Sequence, residues 1–143
     1  MNKLGIILVL TMILLTTFWV WMIIGPQQKQ SDQAQPILLT KQSDDRGDVI
    51  VVVTPIILKQ RQEAKFDVAL DTHSVELSYD LLTVSSLNDD KGNSLKPLSW
   101  SGGTGGHHLK GQLVFPPLSA KAKSVKLVIA GISGFDWKFI WNL

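Results

Sequence analysis

Residues 49–70 read VIVVVTPIILKQRQEAKFDVAL, and this stretch decides the fold. Its first ten residues are almost all β-branched or aliphatic, the composition of a strand that is buried on at least one face. Pro55 interrupts them. A proline has no N–H to give to a ladder, so a bulge or an edge position is expected there. After a polar connection, residues 64–70 alternate strictly. Phe66, Val68 and Leu70 fall on one face, and Lys65, Asp67 and Ala69 on the other. A period of two predicts a half-buried strand, and the 49–58 run beside it predicts its partner.

The same texture continues to the C-terminus. Short apolar runs at 83–88, 94–100, 109–115, 124–132 and 135–143 are separated by turn residues, among them Asp89-Asp90-Lys91-Gly92-Asn93, Pro116-Pro117 and Ser133-Gly134. Residues 79–82 read as a turn ahead of the 83–88 strand. No helical period persists. Seven strands in about 96 residues predict an all-β, immunoglobulin-like β-sandwich over 48–143, with a small barrel as the alternative. Trp100, Trp137 and Trp141 are large enough to fill its centre, which matters because the chain has no cysteine to link the sheets.

Upstream the composition changes twice. Residues 26–47 are rich in Gln, Ser and Asp and predict a flexible tether. Within them Arg46-Gly47-Asp48 begins as an adhesion-like tripeptide that also recurs by chance. Residues 4–24, LGIILVLTMILLTTFWVWMII, are 21 residues without a charge. As a helix they would span roughly 31 Å, one bilayer crossing. Phe18, Trp19 and Trp21 suit the headgroup level, and Gly25-Pro26 ends the run. A cleaved signal peptide would have a shorter apolar core and small residues before the cut. An uncleaved anchor over 1–25 is therefore expected. It places the N-terminus in the cytoplasm and the C-terminal domain outside it, in a single-pass membrane protein of a cell envelope. A lipoprotein is excluded by the absence of cysteine.

Thirteen of the 14 Lys and Arg and all 12 Asp and Glu follow residue 25, a formal net charge of +1. The basic residues are interleaved with acids, which argues against nucleic acid as a partner. Lys121, Lys123 and Lys126 form the densest basic run and read as a solvated turn and edge strand.

Chemistry, if present, is expected around the three histidines. His73 lies in Asp71-Thr72-His73-Ser74, and His107 and His108 follow the glycine-rich loop 101–106. Imidazoles suit Zn(II) or Cu(II), so His73, His107 and His108 are candidate metal ligands, with Asp71, Asp80 or water completing the shell. On a regular strand, however, His107 and His108 point to opposite faces, and convergence would require a turn or bulge. Asp71 and His73 can share a face while Ser74 points away, so a Ser-His-Asp set from this stretch fails on geometry. Loop 101–106 has no Lys-Ser/Thr pair and helix behind it and so is no phosphate loop. A tight backbone path over Trp100 suits it better.

The residues Leu70-Asp71-Thr72-His73-Ser74, Trp100 with Gly105-Gly106-His107-His108, and Gly111, Leu113 and Phe115 together resemble an uncharacterised group of exported, membrane-anchored bacterial domains. The resemblance covers about residues 48–143. It implies the anchor-plus-domain architecture and no catalytic role. The sequence thus predicts a non-enzymatic binding module with a lipid anchor at 4–24 and an envelope protein partner, and a metal-handling module as the alternative.

Overall fold

The computed structural model describes residues 39–143. The expected anchor, and the tether up to residue 38, lie outside the described residues. Among the described residues no helix is long and apolar enough to cross a membrane.

The chain runs through β1 (Gln42–Arg46), β2 (Val49–Ile57), β3 (Glu63–Thr72), a single helical turn α1 (Leu81–Val84), β4 (Ser85–Asp89), β5 (Ser94–Leu95), β6 (Ser99–Trp100), β7 (His108–Pro117), β8 (Ser124–Ile132) and β9 (Phe135–Asn142). The strands form two antiparallel sheets ordered β1-β2-β3-β7-β6 and β5-β4-β8-β9. The expected all-β sandwich is therefore present, with nine strands among the described residues where seven were expected.

Two of the differences have clear causes. Residues 94–100 are not one strand: β5 pairs with β4 and β6 with β7, so the chain changes sheets at Lys96-Pro97-Leu98. Pro97 cannot donate to a ladder, and Lys96 Nζ instead donates to the carbonyls of Thr83 and Ser85, both at 3.4 Å. The tether expected over 26–47 also contains a strand. Although β1 has no apolar side chain, it pairs along β2 from Gln42↔Val53 to Arg46↔Val49.

Side chains of β1 reach across to the edge of the other sheet. The Gln42 carboxamide donates to Ile140 O (2.6 Å) and accepts from Ile140 N–H (3.3 Å), so it occupies both backbone groups of one β9 residue. The Arg46 guanidinium lies 4.8 Å from the Trp137 ring centroid, pairs with Asp44 at 2.7 Å and donates to Asp136 O. Polar residues order this segment by satisfying a strand edge rather than by burying area. Gly47 and Asp48, at φ 56° and 62°, make the two-residue hairpin turn, which favours positive φ at both positions. The adhesion-like tripeptide is thus a turn whose arginine is already engaged.

The core lies between the sheets. Val49, Val51 and Val53 alternate inward from β2, Phe66, Val68 and Leu70 from β3, and Trp137, Phe139 and Trp141 from β9. Phe66 meets Phe115 edge-on at 6.0 Å and Trp141 at 5.2 Å, bridging the layers. Both inner indoles are satisfied: Trp137 Nε1 donates to Ile132 O and Trp141 Nε1 to Thr40 O. Trp100 is half-buried at the sheet edge, and Gly102 lies flat on its ring.

Two substitutions test this packing. A Cβ on Gly111 would overlap the backbone of Gly102, so Gly111→Ala should cost about 1–3 kcal/mol in urea unfolding. The Ser85 hydroxyl is buried without a hydrogen-bond partner, so Ser85→Ala should leave the melting temperature unchanged or raise it.

Candidate functional site

One end of the larger sheet lines up three titratable side chains in a single cross-strand row. The register aligns Asp45 of β1 with Ile50 of β2, Ile50 with Asp71 of β3, and Asp71 with His108 of β7. All four point away from the core, as a period of two requires, because Val49, Val51, Leu70 and Leu109 are buried. His108 Nδ1 lies 2.8 Å from Asp71 Oδ1. An ionised carboxylate only accepts, so the Nδ1 proton is directed at Asp71, and Nε2 faces solvent.

Beside this row is a shallow cleft of about 260 Å³ lined by Asp45, Asp48, Ile50, Asp71, Thr72, His73 and Ser74. Its floor is held by Thr72, whose buried hydroxyl donates to Asp48 O (2.7 Å) and accepts from the N–H groups of Ser74 and Val75. That local turn carries His73 outward.

The three candidate metal ligands are not brought together. Among the described residues no three His, Cys, Asp or Glu side chains are placed to hold one ion. His108 opens β7 and is taken by Asp71, His73 stands on the turn after β3, and His107 is exposed, with its carbonyl accepting from Thr72 N–H at 3.0 Å. That last bond continues the β3–β7 ladder through His107. His107 itself sits at a bend just ahead of β7.

The glycine-rich loop closes over Trp100. Trp100 Nε1 donates to Gly103 O at 2.7 Å, and Gly103, Gly105 and Gly106 take positive φ of 71°, 90° and 81°. The N–H groups of Ser101, Gly105 and Gly106 donate to Gln112 O, Leu77 O and Glu76 Oε1. Amides spent in this way are not offered to a phosphate. Glu76, which the sequence did not single out, is the anchor that shapes this loop, and an isolated acid in a polar run gives no periodic signal.

A second cleft, of about 250 Å³, lies over the smaller sheet, lined by Asn88, Asp89, Asp90, Ser124, Val125, Lys126 and Ile140. The Lys91 ammonium, 2.7 Å from Asp90, and the Lys123 N–H hold the Asp90 carboxyl down to about 2. At Asp89 partial burial pushes the carboxyl up, but hydrogen bonds from Asn93 and the Lys91 N–H outweigh it, and the net direction is down.

No family model matches the chain, and no curated protein matches it. Two solved structures share part of its course. One is a DUF4426 family protein from Pseudomonas aeruginosa PAO1, at 12% identity over 72% of this chain and 94% of that one, with a TM-score of 0.45. The other is the secreted protein MPT63 from Mycobacterium tuberculosis, at 13% identity over 73% and 92%, with a TM-score of 0.43. Likeness this distant transfers no function.

Two measurements bear on these groups. Protons bind an unfolded carboxylate before the held-down folded one, so Asp90 contributes stability above its ordinary 3.8 that is lost as pH falls toward about 2. Thermal melts of Asp90→Asn should therefore fall below wild type at pH 7 and converge with it near pH 2. Titration of the intact chain with Zn(II) should give only weak binding that His107→Ala leaves unchanged. A micromolar site abolished by replacing His107 and His108 together would restore the three-imidazole centre.

Proposed function

We propose that the chain is a single-pass membrane protein of the cell envelope whose extracytoplasmic, immunoglobulin-like sandwich is a non-enzymatic binding module. The observation that carries the binding reading is the outward face of β1-β2-β3-β7. There Ile50, 43% exposed, lines the acidic cleft, and Ile56, 47% exposed, stands toward the other end of the same strand, near Lys65. Large apolar side chains in water flanked by charge are the usual makings of an interaction surface.

Strand order supports the immunoglobulin-like reading. The run β2-β3-β7-β6 corresponds to strands A-B-E-D of that fold and β4-β8-β9 to C-F-G, with β5 added beside C and β1 preceding A. The anchor rests on the uncharged run 4–24, whose length suits one crossing. Catalysis is disfavoured because the Asp71–His108 pair stands on an open, solvated face, where charge stabilisation is weakest.

The absence of cysteine makes the topology easy to test. In intact cells an impermeant maleimide should label Lys138→Cys, and Asn2→Cys only after permeabilisation. The reverse pattern would overturn the orientation. A photoreactive residue replacing Ile50 should give protein adducts that one replacing Lys138 does not. Equal adducts, or none from either, would remove the binding face.

A further inference from the structure

Resting on that binding face, we infer that its occupant is a second copy of this chain, packed face to face about a two-fold axis that crosses the strands. The register sets what such an axis would bring together. On β3 the outward side chains run Lys65, Asp67, Ala69, Asp71. On β2 the exposed isoleucines stand at opposite ends, Ile50 beside Asp71 and Ile56 beside the Pro55/Ile57 bulge, where Ile57 pairs with Lys65. On β7, Lys110 lies across from Ala69.

Rotation about an in-plane axis between Ala69 and Asp67 lays β3 over β3 of the second copy with the direction reversed. Asp71 then faces Lys65 of the second copy, and Ile50 faces Ile56. Asp67 faces Ala69, with Lys110 one strand away from it. Each opposition occurs twice, as an isologous contact demands. Charge meets opposite charge and isoleucine meets isoleucine, without assistance from another molecule. An axis along the strands instead would leave like rows together and place Ile50 against the polar strand β7.

The available area suits the same occupant. Four strands about 4.8 Å apart and eight residues rising about 3.4 Å each give a face of roughly 500 Å², or about 1,000 Å² for the pair. That is the lower limit for a specific interface, and it describes a reversible dimer. Two sheets packed in this way cross at about 30° with about 10 Å between backbones, so the two copies of Ala69 lie close to the axis.

Full-length chain in membranes carrying Ala69→Cys should be crosslinked to a dimer by a short bismaleimide. Lys138→Cys, on the outer face of the smaller sheet, should not. Asp71→Lys or Lys65→Asp, each added to Ala69→Cys, should lower the dimer about fivefold, the effect of two exposed ion pairs, and the two together should restore it. Restoration cannot come from misfolding. Equal crosslinking from Ala69→Cys and Lys138→Cys, or a double reversal no better than the single ones, would overturn the self-association. Adducts from position 50 to a different protein, without an Ala69→Cys dimer, would also overturn it and would leave the binding face itself standing.

Discussion

No disulfide joins the two sheets, because the chain has no cysteine, so their alignment rests on side-chain packing, with the aromatic contact of Phe66 and Trp141 reaching from one layer to the other. Phe66 sits on the central strand of the larger sheet and also packs on Phe115, while Trp141 stacks with Phe139 on the smaller one. Rings of this size bury enough area to stand in for the usual bridge, but they act only when their polar edges are satisfied. The Trp141 N–H is satisfied by the Thr40 carbonyl, upstream of β1. The N-terminal end of the described chain is in this way tied to the centre of the core.

The same economy is visible at the end of the sandwich that carries the candidate site. The turns Gly47-Asp48 and Ser133-Gly134 belong to different sheets, and Ser133 Oγ donates to Gly47 O at 2.7 Å while Tyr79 accepts from Ser133 N–H. Thr72 joins the group by donating to Asp48 O. The acidic cleft therefore stands on a scaffold of hydrogen bonds between turns, and its side chains, Asp45, Asp48 and His73, are left free to face outward. Rigid support beneath exposed polar groups is the arrangement that keeps the ordering cost of recognition low.

What could be read from the sequence follows the physics of each segment. β3 was legible because its apolar side chains repeat every two residues, and β2, β8 and β9 because they are runs of β-branched and aromatic residues bounded by turn residues, among them Ser133-Gly134. The glycine path over Trp100 was legible because no side chain fits between Gly102 and the indole. β1 was not legible, since QSDDR has no apolar period and is ordered by bonds to residues nearly a hundred positions away, Ile140 and Asp136. The switch of sheets at Pro97 also escaped, because a proline inside an apolar run signals an interruption and not its direction. At the site, the sequence pointed to Asp71 as a partner of His73, whereas strand pairing delivers it to His108, 37 residues on. Spacing along a strand says which face a residue takes, and only the register says whom it meets there.

An edge strand is a ready template, and a foreign chain that docks on it can seed aggregates. The Gln42 carboxamide holds the amide and carbonyl of Ile140, and Arg46 holds the carbonyl of Asp136. An invading strand would have to evict both side chains before it could zip onto β9. The polar segment that carries no core residue is thus the guard that keeps this sandwich from growing into fibrils along its open side.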